Sequence, residues 1–69
     1  MSELGNCLKE ERERLGLTQA ALAERVGVSR KTINTVENGV FVPSTVLALR
    51  LARVLERPVE AIFHLADGH

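Results

Sequence analysis

Apolar residues recur along this chain at helical spacing, and capping residues interrupt them at regular intervals. Leu4, Leu8, Glu11 or Arg12, and Leu15 fall on one stripe. That stripe predicts a first helix capped by Ser2 and running to about Leu15. Gly16 stands where a helix end favours a left-handed residue. Thr18 opens a second helix, Gln19 to Val26, with Ala21, Leu22 and Val26 inward, and Gly27 ends it. Ser29 opens a third, Arg30 to Glu37, with Ile33 and Val36 inward and Val28 as the apolar residue entering it. After Gly39, Val40 to Pro43 reads as a loop, whose Val40-Phe41-Val42 is the one short run with strand character. Ser44 caps a fourth helix reaching Leu55, with Leu47, Leu51 and Leu55 inward and the small Ala48 and Ala52 beside them. Pro58 suits the first turn of a last short helix, Val59 to about His64. Five short helices joined by short turns predict one compact all-α unit over residues 1–69.

The segment from 18 to 39 carries the most information. Its two short helices meet across Val26-Gly27-Val28, with Ser29 as cap. This is the layout of a helix-turn-helix, in which a short connection with glycine at its bend holds two helices steeply crossed. Ala23 is small where the helix axes approach, Gly27 supplies a positive φ, and Val28 and Ile33 fill the angle between the helices.

TQAALAERVGVSRKTINTVENG resembles the helix-turn-helix of the Xre family, the phage repressor and Cro type of DNA-binding domain. The similarity runs from about Leu8 to Phe63: LGLTQAALAERVGVS resembles the family's entry and turn, VENG the end of its recognition helix, and VPSTVLALRLARVL and PVEAIF its last two helices. The resemblance implies a compact five-helix repressor-like domain that binds double-stranded DNA. It implies a phosphate contact for Gln19 and another for Asn38. It turns Arg30, Lys31 and Thr35 to the major groove, with Ser29, Thr32 and Asn34 flanking them. It also implies a structural arginine–carboxylate pair between Arg12 and Glu37. The residue chemistry agrees: Arg30 or Lys31 suits guanine, Asn34 suits adenine, and a threonine methyl suits thymine. Three positions depart from the family pattern. Val40 stands where many relatives carry a cation, Glu11 where many carry an apolar residue, and Glu56 where a glycine or small polar residue is frequent.

Composition adds constraints. The chain has 69 residues, one cysteine and two aromatic residues, both phenylalanine. An internal disulfide is excluded, and the core is thin enough to gain from a partner subunit. Nine cations balance nine acids, so the formal net charge is zero. The balance is uneven along the chain. Residues 1–24 hold three cations and five acids, residues 25–55 hold five cations against Glu37, and residues 56–69 hold Arg57 against three acids. Net charges of −2, +4 and −2 follow, with the basic block on the segment expected to meet DNA.

The expected function is therefore a sequence-specific DNA-binding transcriptional regulator, a repressor acting as a homodimer on a palindromic operator. Apolar residues in excess of one small core suggest the dimer interface, with Val59, Ile62, Phe63 and Leu65 at its centre. The alternative is an antitoxin or other protein-interaction subunit that uses the apolar C-terminal helix on a toxin or another protein. An enzyme is not expected: no nucleophile–base pair, carboxylate pair or metal cluster stands out, and no cofactor or metal is implied. No run is long and apolar enough for a membrane span, and the polar, acidic start does not read as a signal peptide. The expected compartment is the cytoplasm.

Overall fold

The computed structural model describes residues 3–66. In chain order these form β1 (Leu4–Asn6), α1 (Leu8–Arg14), α2 (Gln19–Val26), α3 (Arg30–Glu37), α4 (Thr45–Leu55), α5 (Val59–Ile62) and β2 (Phe63–Leu65). Side-chain caps set the central helices. Thr18 Oγ1 accepts the Ala21 N–H at 3.0 Å, Ser29 Oγ the Thr32 N–H at 3.1 Å, and Ser44 Oγ the Leu47 N–H at 3.1 Å. Each bond satisfies an amide that the first helical turn leaves without a partner. Gly27 closes α2 with φ 79°, and the N–H groups of Gly27 and Val28 both reach the Ala23 carbonyl, at 2.9 and 3.0 Å. This left-handed turn lets α3 follow α2 after a connection of only three residues.

The helices bury one face each. Leu8, Leu22, Ala23, Val26, Ile33, Val36, Leu47, Leu51, Leu55, Ile62 and Phe63 form the core. Val28 packs against it as the sequence pattern expects. A leucine or isoleucine sealed in this way contributes about 1.5–3 kcal/mol relative to an exposed one. α2 lies between α3 and α4, α1 packs on α3, and α5 packs on α4.

Both ends differ from the sequence expectation, and for one shared reason. α1 begins at Leu8, because residues 4–6 leave the helix to pair antiparallel with residues 63–65. The register joins Leu4 with Leu65, Gly5 with His64 and Asn6 with Phe63. Asn6 makes the switch: its Oδ1 accepts the Leu8 N–H at 3.0 Å, while its Nδ2 donates to the Val36 carbonyl at 3.0 Å. Such local side-chain bonds compete with helix and favour a turn. The expected cap Ser2 lies outside the described residues. At the other end α5 stops at Ile62, and Phe63 is extended. A side chain on Gly5 would meet the His64 imidazole, so the glycine lets that ring lie over the strand. The fold is thus the expected five helices plus a small ribbon tying the two ends together. Val40-Phe41-Val42 forms no strand.

Two further placements correct the expected core. Leu15 is 37 % exposed just past α1, and Arg12 takes the inward position on that helix. Ile62 is fully buried in the chain's own core, whereas Phe63, 9 % exposed there, also lines an open groove beside α4. β2 turns Phe63 inward, whereas Leu65 remains 61 % exposed.

Candidate nucleic-acid interface

α3 presents a polar outer face because its apolar residues, Ile33 and Val36, both point into the core. Arg30, Lys31 and Asn34 are exposed, and Thr32 and Thr35 are half-buried at the edges. Arg30 and Lys31 have no hydrogen-bond or ion-pair partner among the described residues. Ser29 is engaged locally: besides capping α3, its Oγ lies 2.9 Å from Thr32 Oγ1. Thr35 donates to the Thr32 carbonyl at 3.0 Å, which fixes its rotamer on the helix surface.

Glu37, the acid of α3, is turned away from this face. Arg12 Nε donates to its Oε2 at 2.6 Å and Arg12 Nη2 to its Oε1 at 3.2 Å. The side chains are 10 % and 4 % exposed. Arg12 Nη1 donates to the Leu17 carbonyl at 2.8 Å, so the guanidinium has partners on three nitrogens. The hydrogen bond to Glu37 raises the Arg12 pKa above its ordinary value, against the opposing effect of burial. The pair pins α1 to the end of α3.

The same carboxylate is linked to the polar surface through Gln19. Gln19 Nε2 donates to Glu37 Oε1 at 3.0 Å, Asn34 Nδ2 approaches Gln19 Oε1 at 3.5 Å, and Asn38 Nδ2 donates to Asn34 Oδ1 at 3.2 Å. Gln19, Asn34 and Asn38 are therefore one cluster at the N-terminus of α2 and the C-terminal half of α3. The start of α2 leaves amide groups and a partial positive charge at the cluster's edge, a setting suited to an anion. Sequence spacing brought Arg12 to Glu37 only through resemblance. The bond from Glu37 to Gln19 had no sequence signal, since the residues lie eighteen positions apart on different helices.

Beyond α3 the chain turns at Gly39, with φ 74°, and the N–H groups of Val40 and Phe41 both return to the Thr35 carbonyl, at 2.9 and 3.2 Å. Val40, Phe41 and Val42 are exposed. With Val46, Leu49 and Leu65 they leave considerable apolar surface exposed. An open groove whose lining includes Leu4, Val42, Ala48, Leu49, Val59 and Phe63 runs between α4 and the ribbon. Of the four residues expected at a dimer interface, Val59 and Phe63 line this groove, Leu65 is exposed beyond it, and Ile62 is sealed in the core.

The other basic residues divide. Arg14 and Arg57 both hold Glu11, at 2.8 and 3.1 Å, and Arg14 Nη2 also donates to the Leu55 carbonyl at 2.8 Å, closing the end of α4. These contacts answer the departure at Glu11, where bonds to two arginines replace an apolar contact. Glu56 adopts φ 56° to end α4, so the departure there places a side chain in the left-handed region. Arg25, Arg50 and Arg53 lie at the far end of α2 from Gln19, and none is on α3. No helix among the described residues is long and apolar enough to cross a membrane.

Comparison with known proteins bears on these features. The helix-turn-helix domain family matches residues 3–65. A protein of Methanothermobacter thermautotrophicus named as an uncharacterized HTH-type transcriptional regulator is 54 % identical over 61 residues, covering 87 % of this chain and 88 % of that one. Among solved structures, the restriction-modification controller protein C.AhdI of Aeromonas hydrophila superposes with a TM-score of 0.74 at 35 % identity, covering 78 % of this chain and 82 % of that one. The N-terminal DNA-binding domain of SinR from Bacillus subtilis gives a TM-score of 0.71 at 26 % identity, covering 77 % of this chain and 78 % of that one. The capped α2–α3 pair, the Gly27 turn and the match over nearly the whole described chain agree: this protein belongs to the helix-turn-helix domain family, in its Xre type.

Proposed function

We propose that the chain is a DNA-binding transcriptional regulator that lays α3 in the major groove, binds a palindromic operator as a homodimer and represses transcription there. The observation that carries this is the outer face of α3. It exposes Arg30, Lys31 and Asn34, while the acid of the same helix is turned in against Arg12. Relatives named as transcriptional regulators, and a neighbour that is a DNA-binding domain, support the same reading. In this proposal Arg30, Lys31, Asn34 and the threonine methyls read bases, while Gln19, Ser29 and Asn38 hold the backbone. A DNA partner implies the cytoplasm as the compartment.

The test is binding to a random duplex library, followed by anisotropy on the selected site across a salt series. Lys31→Ala is expected to cost about 1–3 kcal/mol and relax base preference at one or two positions. Gln19→Ala is expected to weaken all sequences alike. A folded protein that binds no duplex at low salt overturns the proposal.

The homodimer reading rests on the groove between α4 and the ribbon and on the exposed apolar residues around it. Leu49→Asp is expected to shift the protein toward monomer in sedimentation, because a charge there cannot be buried without a partner. The same face favours the second reading, an interaction subunit for a toxin or another protein. A wild-type protein that sediments as a monomer would favour that reading over the dimer.

A further inference from the structure

Arg25, Arg50 and Arg53 converge on a cleft of about 310 Å³ between the C-terminal end of α2 and one flank of α4, lined also by Glu24, Val26, Gly27 and Val54. The cleft is distinct from the polar face of α3, which contributes no residue to it. Arg50 crosses to the helix-turn-helix turn: a Cβ built on Gly27 would lie 3.9 Å from its Nη1. None of the three arginine side chains has a hydrogen-bond or ion-pair partner among the described residues, although Glu24 lines the same cleft. Arg25 and Arg53 stand in the last turns of α2 and α4, where a cation offsets the helix dipole. That role does not account for Arg50, which lies mid-helix, nor for three guanidiniums gathered where their charges repel.

We propose that this cleft is a phosphate-binding site, in which Arg25, Arg50 and Arg53 together grip the oxygens of one phosphate or pyrophosphate group beside the turn. A carboxylate satisfies one guanidinium in a two-point contact, whereas a phosphate carries more charge and enough oxygens to engage several. Two sources share this chemistry: the backbone of duplex DNA reaching past α3, and a free phosphorylated small molecule.

The experiment has two arms on the full chain. In the first, pyrophosphate is titrated without DNA and followed by amide NMR shifts, with sodium chloride at matched ionic strength as the control. Shifts centred on Arg25, Gly27 and Arg50, and a loss of affinity of about tenfold or more in Arg50→Ala/Arg53→Ala, support a free ligand. In the second, the salt dependence of duplex binding is compared between wild type and the same variant. A slope smaller by roughly 1, the loss of one phosphate contact, with base preference unchanged, supports the DNA backbone as the source. Arg50→Gln/Arg53→Gln, which keeps side-chain length, stands in if the alanine variant fails to fold. Chloride reproducing the pyrophosphate shifts, or pyrophosphate affinity undiminished in the variant, together with an unchanged salt slope, overturns the proposal. The first arm contains no DNA, so its outcome is independent of the regulator proposal.

Discussion

Glu37 and Glu11 each tie α1 to a later element, and they do so in opposite surroundings. Glu37 takes two bonds from Arg12 with both side chains almost sealed from water. Glu11 sits between Arg14 and Arg57, whose side chains are 38 % and 44 % exposed. The bonds are of similar length, yet their consequences differ. A sealed pair has lost its hydration, so each partner depends on the other, whereas exposed arginines find water when the carboxylate is removed. The sealed carboxylate also holds Gln19, so the polar face and the buried pair share one anchor. The open carboxylate serves a corner of the fold remote from that face.

The largest test of this contrast is Glu37→Ala. It strands the Arg12 guanidinium and is expected to cost about 3–5 kcal/mol, read as a lower denaturation midpoint. The double change Arg12→Met/Glu37→Leu is expected to recover most of that stability, because a well-packed apolar pair replaces a desolvated ionic one. It would still leave Gln19 without its acceptor, and duplex binding should remain weak. Full recovery of both stability and binding would show that the pair does not position Gln19.

A smaller effect probes the open corner. Glu56 holds φ 56°, a conformation that costs a residue with a side chain about 1–2 kcal/mol. Glu56→Gly relieves that strain but frees the unfolded chain, so a net gain of about 0.5–1 kcal/mol is expected in thermal unfolding. The smallest effect is at Glu11 itself. Hydrogen bonds from Arg14, then Arg57, hold its carboxyl below the ordinary value of 4.5. A depressed carboxyl stabilises the fold above its unfolded value, and that contribution fades as pH falls through the folded one. Glu11→Gln is thus expected to lower the melting temperature slightly at neutral pH, with the gap closing as the pH drops below about 4.5. A gap that persists in acid would mean that packing, not charge, is what Glu11 supplies.

The middle of the molecule was legible in the sequence because its signals are local. Thr18, Ser29 and Ser44 cap the helices they precede, Gly27 makes the turn, and the inward residues of α2 to α4 follow helical spacing. The ends were not legible, because their structure depends on a partner segment at the far end of the chain. Leu4 and Leu8 have helical spacing, yet pairing with residues 63–65 and the two bonds of Asn6 override it. The same blindness set Ile62 at an interface: an apolar residue of a short helix looks surplus until the chain folds it inward. At the polar face, periodicity identified which residues of α3 face outward. It could not reveal that Gln19 is held by Glu37, a contact between side chains on crossed helices. Charge counting placed five cations in one segment, but only the folded chain separates Arg30 and Lys31 on α3 from the three arginines of the cleft.

The ribbon also bears on the order in which the chain assembles. Pairing Leu4 with Leu65 closes a loop that contains every helix, and such closure is entropically unfavourable until the enclosed segments are compact. The most extensive helix contact, α2 on α3, joins consecutive elements, and such local contacts form fast. The strands are then expected to zip after the rate-limiting barrier. Leu4→Ala, which trims a side chain packed on the core from β1, should raise the unfolding rate while leaving the folding rate nearly unchanged in stopped-flow measurements. The ribbon would then act as a latch on lifetime, setting how long the helix-turn-helix stays folded rather than how quickly it forms.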